Sequence, residues 1–188
     1  MERERPQAFA VTMTEKEFKP LIEGIQVKLV IDRVDTLADG RLVVIDYKTG
    51  SAPDYKNWAS DKITEPQLPI YAAFVLQDAD IAAVCFGKLR LTDGGFAGVA
   101  AEDDIVPGIR AFNHERNTLF DRELFPDWPS ILQHWHSQIT RTAQALKAGE
   151  AAVVFESEQD LAYCDVLPLL RLPERQLQFE QLQNGGQA

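Results

Sequence analysis

Cysteine is scarce: Cys85 and Cys164 are the only two in 188 residues. Two thiols cannot build a disulfide framework or a four-cysteine metal site. A reduced, cytoplasmic setting is therefore the default expectation. Long apolar runs are missing as well. No stretch approaches the roughly 20 residues that a bilayer span needs, so no membrane association is expected. The opening, "MERERPQAFAV", is charged and has no apolar core, so it does not read as a signal peptide. Positive charge is also short, with 19 Lys and Arg against 29 Asp and Glu, a net −10. That excludes a general DNA-coating role, which relies on Lys and Arg to neutralise phosphates. An enzyme acting on nucleic acid stays open, because acidic groups can gather at a metal or on a far face. There is no Walker A motif, so ATP-driven unwinding would have to come from another segment or partner.

What is present is ordinary globular material: 45% hydrophobic and 26% charged residues, and enough chain for one domain with a sizeable core. Residues 8–18 read as a strand running into a polar turn. Residues 25–34 and 41–47 read as two strands. "LADG" at 37–40 joins them as a hairpin turn. Residues 49–62 carry Gly, Pro, Ser and Asn and read as a loop. A helix is expected over 64–77, capped by Thr64 with Pro66 in its first turn. A β-rich run at 80–91, a "TDGG" turn and a strand "FAGVA" follow, and 101–126 looks irregular. The strongest helix is 129–148, capped by Asp127 and ended by Gly149. Ile131, Leu132, Trp135, Ile139, Thr142 and Leu146 recur along it at helical spacing. Residues 158–182 read as short helices with a polar tail. This order suggests an α/β sandwich rather than a doubly wound sheet.

The chemistry concentrates in "VIDRVDTLADGRLVVIDYKTG", 30–50. Strand side chains alternate, so Asp46 and Lys48 share a face. Asp32, on the neighbouring antiparallel strand, can reach it too. Two converging carboxylates repel unless a cation sits between them. Mg²⁺ or Mn²⁺ suits that place, since hard cations prefer oxygen and take one or two carboxylates with water and phosphate. Lys48 would then orient or deprotonate a water, or stabilise charge on a phosphate oxygen. The Tyr47 carbonyl lies between the two side chains as a further ligand. The bland alternative is a surface hairpin with an Asp46–Lys48 ion pair. Against it, "VVI" leads into Asp46 without polar alternation, which points to a strand buried on both faces. A carboxylate ending such a strand needs a strong partner.

Together "IDRVD", "VVIDYKTG" and "PQLPIYA" resemble the RecB/AddB-type nuclease domain of the PD-(D/E)XK superfamily. The resemblance covers residues 8–90 well and the rest loosely. Its pattern runs G-x-[IV]-D-R-[IV]-D, then D-Y-K-[TS]-G, then Q-L-x-x-Y on a helix. Asp32 matches the second-motif aspartate, Asp46 and Lys48 the D-x-K, and Gln67 and Tyr71 the Q-x-x-x-Y. The resemblance implies an α/β, restriction-endonuclease-like core, a central mixed sheet flanked by helices, with 1–188 forming one domain. It implies that Asp32 and Asp46 bind Mg²⁺ or Mn²⁺, that Lys48 assists catalysis, and that Gln67 and Tyr71 contact DNA or steady the catalytic strand. It further implies a deoxyribonuclease, exonuclease favoured over endonuclease. The expected setting is the C-terminal part of a longer DNA-repair protein, with a helicase-like domain or subunit as partner. A catalytically weak module that grips DNA ends or a partner protein is the alternative. A hydrolase of another phosphodiester is a third.

Several features depart from the pattern or stand outside it. Relatives often bring a further His or Glu from an upstream helix; here Glu15 and Glu23 are weak substitutes, and solvated glutamates are the plainer reading. The usual glycine before the aspartate strand is absent from "KLVIDR". "LAYCDVLPLLR", 161–171, resembles an iron–sulfur segment, but Leu161 and Leu170 stand where cysteines would. A cluster needs four thiolates, so none is expected. Asp35 reads as a structural partner for Arg33 or the hairpin turn. Residues four apart share a helix face, so Gln67 and Tyr71 can both look back at the hairpin. His134 and His136, two apart, face apart, and His114 has no evident ligand partner. Trp128 and Trp135 read as packing for the long helix, and Trp58 as loop packing ahead of base stacking.

Overall fold

A computed structural model describes residues 5–50, 55–89 and 94–150. Its frame is a mixed five-stranded sheet with helices packed on it. The strands are β1 Phe9–Phe18, β4 Leu29–Leu37, β5 Leu42–Lys48, β6 Ile81–Lys88 and β7 Gly95–Ala100, in the order β1-β4-β5-β6-β7. β5 and β6 run parallel; the other neighbours are antiparallel. A two-stranded ribbon, β2 Leu21–Ile22 and β3 Ile25–Gln26, turns at Gly24. This is the expected α/β fold with a central mixed sheet.

The hairpin forms where the sequence places it. Gly40 takes φ +90°, a conformation that glycine adopts without penalty. Its N–H donates to the Leu37 carbonyl at 3.0 Å. β5 is central and buried from Val43 to Asp46, so both faces need apolar side chains. β1 differs: it is an edge strand, mostly exposed, and continues through the segment expected to turn. Pairing with β4 alone lets its polar side chains stay in water. Close approach explains two glycines. A Cβ on Gly98 would lie 2.3 Å from the Val84 carbonyl oxygen, and one on Gly87 would lie 2.6 Å from Tyr47 Cδ1.

The long helix, α2 Trp128–Lys147, agrees with the sequence to within a residue. Asp127 Oδ1 accepts the Ser130 N–H at 2.8 Å, and Gly149, at φ +75°, follows its end. Its buried stripe is Ile131, Trp135, Ile139 and Ala143, spaced by four. Leu146 does not join that stripe and is 64% exposed.

The expected helix over 64–77 is shorter and irregular. α1 spans Gln67–Ile70 and continues as a wide π turn over Tyr71–Val75. Thr64 is not its cap; Pro66 is, and Glu65 before it sits at φ +50°. A left-handed residue there interrupts the helix path. Pro69 has no N–H to give the Glu65 carbonyl. The Trp58 indole N–H takes that acceptor instead, at 3.3 Å. Trp58 belongs to a short 3₁₀ turn, Lys56–Ala59, inside the expected loop. It is 0% exposed and packs on Phe86 and Trp135. Base stacking by Trp58 is therefore ruled out in this fold.

Each sheet face has its own core. One gathers Val44, Trp58, Tyr71, Phe86, Ile131 and Trp135 beneath the helices. The other gathers Val43, Ile45, Cys85, Ile105 and Ile109 beneath the irregular 101–112 stretch. Burial pushes the Cys85 thiol up to about 12, so it behaves as a small apolar side chain. No helix among the described residues is long and apolar enough to cross a membrane. Residues 158–182 and Cys164 lie outside the described residues.

Candidate active site

The site forms where β4 peels away from β5. Their ladder ends at Arg33–Ile45. The next N–H facing β4, that of Tyr47, donates to Asp32 Oδ2 at 2.7 Å. Asp32 thus substitutes its carboxylate for a ladder carbonyl. N–H and C=O of one residue leave a strand on the same edge, as pair geometry requires. The Tyr47 carbonyl therefore faces the same opening as Asp32.

Asp46 lies one residue earlier on β5 and is only 3% exposed. Lys48 Nζ sits 2.9 Å from Asp46 Oδ2 as an ion pair. Apart from this ion pair, Oδ2 has no hydrogen-bond partner among the described residues. A buried carboxylate whose counter-charge is one partly exposed lysine is costly to keep ionised. Burial raises the Asp46 pKa; the Lys48 ammonium opposes this, while the charges of Asp32 and Glu65 add to it. Lys48 itself is half-buried. Burial works against its charge, but Asp46, Glu65 and Asp32 outweigh that and hold its pKa above the usual lysine value.

Gln67 and Tyr71 meet as their spacing predicts. Gln67 Nε2 donates to the Tyr71 hydroxyl at 2.9 Å, and both reach the Val30 carbonyl. Val30 lies two residues before Asp32, so this pair anchors the strand that carries Asp32. Burial, with the charges of Asp46 and Asp32, pushes the Tyr71 pKa up, so the hydroxyl remains a donor.

Asp35 is a different kind of buried carboxylate. Arg33 grips it with Nε to Oδ1 at 2.6 Å and Nη2 to Oδ2 at 3.0 Å, and Arg5 Nη1 also donates to Oδ2. It pairs with Arg33 as expected; the Arg5 contact was not legible. The histidines stay out of the site. His134 contacts the Ser60 carbonyl at 3.1 Å, His136 stacks on Phe74, and His114 accepts the Arg116 N–H.

One residue escaped the sequence reading. Glu65 acts electrostatically on both Asp46 and Lys48. Its place beside Gln67 was the available signal, but its approach depends on the left-handed turn and the Trp58 anchor. Glu15, between Thr14 and Lys16 that pair with Arg33 and Ile31, lines an open cleft with Thr14, Asp32, Arg33 and Tyr47. It was expected to be a solvated glutamate, and it is exposed.

The donor set suits a hard divalent cation. It offers Asp46 Oδ2, the Asp32 carboxylate and the Tyr47 carbonyl, all oxygen. No group of three His, Cys, Asp or Glu that could hold a metal occurs among the described residues. Two carboxylates and a carbonyl match the incomplete protein shell typical of Mg²⁺.

No curated protein matches the chain. A family model described as the PD-(D/E)XK nuclease superfamily matches residues 1–168, well over half of it. Nucleases of that superfamily generally use divalent metal ions. The sequence pattern, the mixed sheet and the acidic edge of its central strand thus converge: the chain belongs to the PD-(D/E)XK nuclease superfamily.

Proposed function

We propose that the chain is a Mg²⁺- or Mn²⁺-dependent deoxyribonuclease of RecB/AddB type, with exonuclease favoured over endonuclease. The observation that carries this reading is the buried Asp46 carboxylate, ion-paired to Lys48 and within electrostatic reach of Asp32. Asp32, Asp46 and the Tyr47 carbonyl would hold the cation. When bound, it would lower the pKa of a water and neutralise charge on the scissile phosphate. Lys48 is protonated at neutral pH, so it acts as a cation and donor toward a phosphate oxygen or the attacking water rather than as a base. Gln67 and Tyr71 fix the strand that presents Asp32.

DNA is the favoured substrate because "QLPIY" follows "DYKTG" in the RecB/AddB order. The same resemblance supports a place in the C-terminal part of a longer DNA-repair protein, working with a helicase-like domain or subunit. A buried, free Cys85 is consistent with a reduced, cytoplasmic setting. The incomplete acidic shell and the net charge of −10 favour one second reading, a weakly active module that grips DNA ends or a partner.

Linear DNA incubated with purified protein and Mn²⁺ separates the two. The nuclease reading expects cleavage by wild type and a loss of about 100-fold or more in Lys48→Ala. Equal background cleavage by both would sink it for this chain.

A further inference from the structure

Tyr47 is held at both ends. Its N–H donates to Asp32 Oδ2 at 2.7 Å. Its hydroxyl accepts from Arg33 Nη1 at 3.0 Å. Its ring lies against Gly87, where any Cβ would meet it. Arg33 is in turn fixed by Asp35 through two bonds, and Asp35 by Arg5. Both guanidinium groups lie over the Phe9 ring, at 3.8 Å for Arg5 and 5.4 Å for Arg33. The Arg5 and Asp35 side chains are buried, at 1% and 0% exposure. A largely buried ion network thus ends on the hydroxyl of the residue whose peptide faces Asp32.

A stability role alone would need only Asp35 and its two arginines. The fourth member, the Tyr47 hydroxyl, connects that network to the residue between Asp46 and Lys48. Fixing that side chain fixes the peptide, and the peptide sets both the Asp32 carboxylate and the Tyr47 carbonyl. Groups that orient ligands from behind commonly change metal affinity by 10–100-fold.

We propose that Arg33 and the Tyr47 hydroxyl are positioning groups for the divalent-cation site, acting through the Tyr47 peptide on Asp32. The inference rests on the metal-site reading above. The test is Mn²⁺ titration calorimetry on the full chain, with thermal melts of every variant in the absence of metal. Tyr47→Phe removes the hydroxyl and keeps the ring. It should weaken Mn²⁺ binding about tenfold with little change in the melt. Arg33→Met should weaken it comparably, and the double variant should lose no more than either single change, because both cut one connection. Asp46→Asn serves as control and should abolish binding. If Tyr47→Phe binds Mn²⁺ like wild type while Asp46→Asn does not, the positioning role is wrong and the metal site stands. Additive losses in the double variant would also overturn the connection. If wild type fails to bind, or Asp46→Asn binds equally well, the metal-site reading falls and this inference falls with it.

Discussion

Asp35 and Asp46 are two carboxylates buried on neighbouring strands of one sheet, and they are treated in opposite ways. Asp35 is 0% exposed and receives three donors from two arginines. Asp46 is 3% exposed, and its Oδ2 is held only by the Lys48 ion pair at 2.9 Å. A charge that is sealed and saturated has no capacity left for a ligand. A charge that is buried and under-satisfied has an unmet need for a cation. The difference separates a structural acid from a candidate functional one more sharply than burial does.

Breaking the saturated side should have the largest effect. Asp35→Ala leaves Arg5 and Arg33 buried without their anion, and such losses cost about 3–5 kcal/mol. A urea or thermal melt should show a strongly destabilised or unfolded chain. Near-wild-type stability would mean that the network contributes little.

The under-satisfied side should respond to pH. A cation must displace the proton from Asp46, whose pKa is raised by burial and by Asp32 and Glu65 against the pull of Lys48. Mn²⁺ affinity should therefore begin to fall, as pH drops, above the ordinary aspartate range. Below the raised pKa the fall should approach tenfold per pH unit. Titrations across an acidic pH series check this, and an affinity flat down to the ordinary aspartate range would contradict it.

The smallest effect concerns stability without metal. A folded-state pKa above the unfolded value means that folding favours the protonated acid. That contribution is fully present below the unfolded pKa and is lost as pH rises through the folded one. Above the folded-state pKa the ionised Asp46 therefore weighs against the fold. Asp46→Asn should raise the metal-free melting temperature by about 2–4 °C, the scale of 1 kcal/mol in a domain of this size. Lys48 keeps its solvent contact at 30% side-chain exposure, so losing its partner does not offset the gain. A lower melting temperature would show that the ion pair outweighs the burial penalty.

Much of this was legible because it rests on local pattern. "LADG" specified a hairpin, "VVI" a doubly buried strand, and Asp127 with Gly149 the ends of α2. The meeting of Gln67 and Tyr71 followed from their spacing of four. What stayed hidden depends on tertiary contacts. Trp58 looked like a loop residue because nothing nearby in sequence reveals Phe86 and Trp135 around it. The break before Gln67 arises from Glu65 turning left-handed while the distant indole of Trp58 holds its carbonyl. Arg5 reaches Asp35 across 30 positions, and Tyr47 reaches Arg33 by pairing of strands that diverge there. Thus the motif residues could be named from the sequence, but not the network behind them.

The central claim is that the buried carboxylate of Asp46 exists to take a cation. Mn²⁺ titration calorimetry of wild type beside Asp46→Asn at neutral pH tests it most directly. The account predicts a saturable isotherm for wild type and none for the variant. Indistinguishable isotherms from the two would contradict it.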